Sequence, residues 1–177
     1  MHEGSDALAS REENIATPLV LYTDNGLLLR QYSTPEDDTA YLELENANRD
    51  HIAEFGNKIY ETLEDVRKAR LNPELLRLGI WEEDNLIGEV CIASKDGKEA
   101  EMGVLLAKDS TGHGYATSAL LEATNYAQEN YERVFAEVAP DNERSISLLQ
   151  RAGYVEPSPG EVVQRDWGNA LILEAKK

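Results

Sequence analysis

Two glycines stand in the run Asp109-Ser110-Thr111-Gly112-His113-Gly114-Tyr115-Ala116-Thr117, between an apolar stretch over 102–106 and a long helical pattern. That arrangement suits the holding of an anion. The first four N–H groups of a helix have no partner inside it, and the macrodipole places about half a positive charge at that end. Glycine at 112 and 114 keeps Cβ atoms from standing between these amides and a phosphate oxygen. The spacing is not that of a P-loop, which needs four residues between its glycines and then Lys-Ser/Thr. It also lacks the third glycine of a dinucleotide fingerprint.

The elements around this loop follow from local signals. Thr23-Asp24-Asn25-Gly26 reads as a turn before a strand over 27–31. Thr34-Pro35-Glu36-Asp37 supplies an N-cap, a proline at the first helical position and acids in the first turn, which predicts a helix over 35–48 with Tyr41, Leu42 and Leu44 on its apolar face. A second helix is predicted over 62–71, stopped by Asn72-Pro73. Strands over 76–81, 86–93 and 100–107 follow, joined by polar turns. After them come a helix over 114–130, a strand over 134–138, a helix over 142–152, a short strand from 154 and a last strand over 167–175.

The order of strand, Gly-x-Gly helix, strand, Asn-opened helix and Gly-Tyr resembles the GNAT superfamily of acetyl-CoA-dependent N-acetyltransferases. Within it, the chain is similar to the Rim-type ribosomal-protein acetyltransferases. The resemblance is carried by Glu101-Met102-Gly103 before the loop, by Gly112-His113-Gly114-Tyr115-Ala116-Thr117, by Asn48-Arg49-Asp50-His51-Ile52 upstream, and by the segment from Asn142 to Tyr154. It covers roughly residues 27–154. It implies a mixed α/β fold, with a mostly antiparallel twisted sheet of about six or seven strands flanked by about four helices.

The same resemblance implies a cosubstrate, acetyl-CoA, with the pyrophosphate on the amides of Thr111, Gly112, His113, Gly114, Tyr115, Ala116 and Thr117. Pantetheine would pair with the backbone of Val104, Leu105 and Leu106 like an added strand, and an amide of that strand would face the thioester carbonyl. The chain departs from the family's loop at Asp109, where Gln or Arg is usual, and Lys108 is the nearest replacement cation. Acetyl transfer to an amine also needs a base and an acid. Glu101 is the first candidate base because it heads the strand that would carry the thioester, and His51 is the second. Many family members place a tyrosine seven residues after the helix-opening Asn. Leu149 occupies that position, and Ser145, three residues after Asn142, is the candidate acid that the Rim branch offers. Asn142 caps its helix, binds coenzyme A, or does both.

Thirty-four acidic against 17 basic residues give a net charge of −17. That balance argues against a nucleic-acid or anionic-membrane partner and favours a neutral or cationic acceptor, either a protein N-terminus or a small amine. Cys91 is the single cysteine, and it is expected to be a small strand residue with no nucleophilic role. Trp81, Trp167 and Tyr154 read as core or interface aromatics. No metal-ligand spacing appears. A flexible tail over 1–18, one domain over 19–177, a cytoplasmic setting, and a monomer or homodimer complete the expectation. A non-catalytic acyl-CoA-binding domain is the alternative, favoured by the absent tyrosine and by Asp109.

Overall fold

A computed structural model describes residues 17–54 and 59–176. The predicted tail falls almost wholly outside these residues. Among the described residues nine strands form one sheet: β1 (Val20–Tyr22), β2 (Leu28–Gln31), β3 (Leu75–Glu82), β4 (Asn85–Ala93), β5 (Glu99–Leu106), β6 (Arg133–Val138), β7 (Tyr154–Val155), β8 (Val162–Arg165) and β9 (Gly168–Ala175). Their order is β1-β2-β3-β4-β5-β6-β9-β7, with β8 sharing the outer edge of β9. Every pairing is antiparallel except β5 with β6. The α-helices among the same residues are α1 (Pro35–Ala47), α2 (Arg49–Glu54), α3 (Leu63–Arg70), α4 (Tyr115–Asn130) and α5 (Glu143–Arg151).

The mixed α/β class is as expected, with more strands and helices than the sequence pattern indicated. β1 is only three residues long, and the Thr23–Gly26 turn folds it onto β2: Leu27 N–H donates to Thr23 Oγ1 at 2.9 Å. β8 arises where a plain loop was expected, because the chain doubles back through Asp166-Trp167 to lie along β9. Residue 48 ends α1, and α2 starts directly after it.

One sheet face carries the main core. Leu78, Ile80, Val90, Ile92 and Met102 meet Ala119, Leu120, Ala123 and Ala127 of α4. Alanine at every fourth position lets this helix lie close to the strands. The opposite face is built differently. Arg77 is buried there on β3, with Glu89 of β4 accepting from it at 2.7 Å. Its guanidinium carbon lies 4.1 Å from the ring centre of Tyr41, and Tyr32 and Tyr60 stand around it at 5.3 and 5.2 Å. Above this cluster, α1 and α3 are locked together by Arg70, which donates to both carboxylate oxygens of buried Asp38 at 2.8 and 3.0 Å. Thr34 and Asp37 form a capping box that starts α1 where the sequence places it. Of the three aromatics, Tyr154 is core, with its hydroxyl 2.7 Å from that of Thr124. Trp81 is half-buried and lies under the Arg30 guanidinium. Trp167, 55% exposed at the hairpin tip, is not a core residue.

Candidate active site

The site grows from a fault in the sheet. β5 and β6 pair over three positions only, Glu99 with Arg133, Ala100 with Val134 and Glu101 with Phe135. Beyond Glu101 the strands part company. β5 continues to Leu106 along β4, while β6 continues to Val138 along β9. Among the described residues no strand pairs with β5 on its β6 side beyond Glu101. Backbone donors and acceptors there call for partners. Val104 and Leu105 are half-exposed and Gly103 is open to solvent along this stretch, whereas Leu106 is buried.

The strand ends at Ala107, whose N–H still reaches Ile87 of β4 at 2.8 Å. A single 3-10 turn, Lys108–Ser110, then leads into the glycine loop. Gly112 and Gly114 have φ of +87° and +80°, which β-carbon-bearing residues rarely adopt, and nothing lies within 4 Å of where a Cβ would stand on either. Gly114 is the N-cap of α4, and no side chain accepts from the helix's first amides. The first turn carries no carboxylate either. Backbone N–H groups of Tyr115, Ala116 and Thr117 therefore open the 16-residue helix uncapped, an electropositive end free to receive an anion. His113 stacks on Tyr115 with ring centres 5.4 Å apart, and the Tyr115 hydroxyl donates to Glu82 of β3. Lys108 and Asp109 are both exposed on the short turn.

Glu101 sits at the apex of the split. The residue is open to solvent, yet its carboxyl is partly enclosed by neighbours. That desolvation, followed by the charge of Glu137, raises its pKa above the ordinary carboxylate value; Lys95 and Arg165 oppose the rise. Glu137 lies on β6 two residues past the partner of Glu101, so the two carboxylates share a face. Arg165 of β8 grips Glu137 with two N–H groups, Nε at 2.7 Å and Nη2 as well. Neither Glu137 nor Arg165 stood out in the sequence: one acid in an alternating strand and one arginine in a polar hairpin carry no spacing signal.

The other predicted residues are distributed around this centre. Asn142 is the N-cap of α5, its Oδ1 accepting from Ser145 N–H at 3.0 Å. Ser145 is half-buried in the first turn. His51 lies half-buried on α2, a separate element. Cys91 is partly buried opposite Arg77, and burial together with Glu89 pushes its thiol far above the usual range, which leaves it unreactive. Residues 48–62 contain α2 and include 55–58, which lie outside the described residues; residues 156–166 contain β8. Among the described residues no cluster of His, Cys, Asp and Glu is placed to hold a metal ion, and no helix is long and apolar enough to cross a membrane.

Comparison with known proteins agrees with this geometry. The spermidine N(1)-acetyltransferase of Vibrio cholerae serotype O1 is 24% identical over 149 residues, spanning 79% of this chain and 85% of that protein. Among solved structures, the ribosomal L7/L12 alpha-N-protein acetyltransferase RimL in its apo form matches with a TM-score of 0.75 at 14% identity, over 91% of this chain and 96% of its own. RimJ of Mycobacterium smegmatis in complex with CoA-disulfide matches at 0.73 and 19%, over 89% and 85%. At these identities the structural likeness speaks for the fold. Residues 26–155 match the model of the acetyltransferase (GNAT) domain, nearly the span over which the motifs run. The non-catalytic alternative is not favoured. With well over half of its 177 residues inside that match, the chain belongs to the GNAT family and is an acetyl-CoA-dependent N-acetyltransferase.

Proposed function

We propose that the protein transfers acetyl directly from acetyl-CoA to a cationic primary amine, in the opening between β5 and β6. The observation that carries this reading is the split itself: a β5 edge that, among the described residues, has no strand partner beyond Glu101 and leads, through one turn, to the uncapped amides of α4. Val104, Leu105 and Leu106 supply backbone partners for pantetheine, and the amides from Thr111 through Thr117, with His113 and Tyr115 beside them, receive the pyrophosphate. The helix end needs no cationic side chain to do so, which accounts for the tolerance of Asp109. Asn142 caps α5 through its Oδ1 and so supports the position of that helix, a role compatible with a contact to coenzyme A.

The thioester supplies an activated acyl carbon. Glu101 takes the proton of the incoming ammonium, so that a neutral amine forms the new C–N bond. A β5 amide faces the oxygen on which charge develops. Ser145 passes a proton to the sulfur as the C–S bond breaks and takes in its place the second proton shed by the acylated nitrogen, and His51 is the second candidate for proton removal. The raised pKa of Glu101 suits a base that works near neutrality.

A cationic acceptor is supported by the net charge of −17, by the Glu101–Glu137 pair at the apex, and by the polyamine substrate named for the Vibrio cholerae relative. Spermidine is therefore the first probe, with an N-terminal peptide amine as its competitor. Thiol release from acetyl-CoA, with product identified by mass, should show acetylated spermidine. Turnover with the peptide alone would move the acceptor to a protein N-terminus, and turnover with no amine would refute the reading.

A further inference from the structure

Asn48 joins parts of the molecule that are distant in sequence. Its backbone N–H donates to Glu45 O at 3.1 Å as the C-cap of α1, and its carbonyl accepts from Ile52 N–H at 2.9 Å within α2. Its side chain works in both directions as well. Nδ2 donates to Leu44 O at 2.8 Å, and Oδ1 accepts from the backbone N–H of Lys108, 60 residues away, at 2.9 Å.

Lys108 is the root of the turn that carries the glycine loop. One residue earlier, Ala107 is still fastened to β4. At Lys108 the chain leaves the sheet, and its carbonyl then accepts from both Thr111 Oγ1 at 2.8 Å and Thr111 N–H at 3.3 Å. A continuous path of hydrogen bonds thus runs from the end of α1 through Asn48 and Lys108 to Thr111, the residue before Gly112. The same Asn48 starts α2, which carries His51.

We propose that Asn48 is a positioning residue: its side-chain oxygen fixes the departure of the chain at Lys108, and so sets the loop amides for coenzyme A while tying them to α2 on the acceptor side. This rests on the reading of residues 111–117 as the coenzyme A loop. Asn suits the position because it is acceptor and donor at once. Asp keeps the acceptor for Lys108 but loses the donor to Leu44 and sets a carboxylate oxygen against that carbonyl, which is unfavourable. Ala loses both.

The test uses the full chain, with coenzyme A affinity by calorimetry, amide hydrogen exchange over 108–111 in the free protein, and melting temperature. Asn48→Ala should weaken coenzyme A binding by about three- to tenfold, the usual worth of one hydrogen bond, and should speed exchange at the Lys108 amide. Asn48→Asp should restore slow exchange and most of the affinity, although it melts lower than wild type. A purely structural cap would lower melting in both variants without separating them in affinity or exchange, and that pattern would overturn the proposal. So would unchanged affinity in Asn48→Ala. If wild-type protein itself fails to bind coenzyme A, the loop reading falls first, a result distinct from binding that is indifferent to residue 48.

Discussion

The half of the molecule proposed to face coenzyme A and the half proposed to face the acceptor are built from different materials. From β5 through the glycine loop to the start of α4, the groups aimed at the ligand are backbone amides, placed by two glycines with positive φ and by an unpaired strand edge. The other half is held by ionised side chains: Arg77 with Glu89 inside a ring of tyrosines, Asp38 with Arg70 between α1 and α3, and Arg165 with Glu137 beside Glu101. A backbone site tolerates changes of side chain but not of φ. A side-chain site is sensitive to single atoms and to pH.

The largest effect should be on folding, in the acceptor half. Arg77→Met strands Glu89 in the interior, where it is 6% exposed, and should cost about 3–5 kcal/mol in denaturant unfolding. The double change Arg77→Met with Glu89→Gln should recover much of that loss, since no uncompensated charge remains. Equal instability of single and double variants would mean that the tyrosine ring, and not charge pairing, needs the arginine.

Next comes catalysis. Glu101→Gln should lower kcat/KM for the amine by about 10²- to 10³-fold with coenzyme A affinity unchanged. Because its pKa is raised, the base form of Glu101 is lost as pH falls through a value above that of an ordinary glutamate, and the acid limb of kcat/KM should lie correspondingly high. Glu137→Gln removes a charge that raises this pKa, so the limb should move to lower pH. Arg165→Gln should move it the other way. A limb that ignores both variants would remove Glu101 from the base role.

In the coenzyme half, Gly114→Val forces a branched side chain to φ +80° and obstructs the approach to the amides. Coenzyme A affinity should fall by about 10²-fold or more. Gly97 has φ +71° in a remote turn, and Gly97→Ala should lower stability without touching affinity. The smallest effect is the most telling about backbone recognition: His113→Ala should change coenzyme A affinity by no more than about threefold, although the ring lies in the middle of the loop.

This division also explains what could be read in advance. Glycine spacing, capping residues and strand alternation act locally, so the glycine loop with the helix it opens, the α1 start at Thr34 and the order of elements were legible in the sequence. Glu137, Arg165 and the bond from Asn48 to Lys108 were not, because each depends on contacts between residues 28 to 60 positions apart. β1 and β8 were missed for a related reason, since short edge strands are defined by the partner they lie on. For Trp167 the sequence left core and interface both open, because its size is visible there and its position at a hairpin tip is not.

The position of coenzyme A decides between a backbone site and any other. Backbone amide shifts in an isotope-labelled sample titrated with coenzyme A should change most at Val104, Leu105 and Leu106 and over residues 111–117, with smaller changes at Glu101. Largest changes instead around Ala139, Asp141 and Trp167, which line an open hollow of about 360 Å³ beside the β8–β9 hairpin, with the β5 edge unmoved, would contradict it.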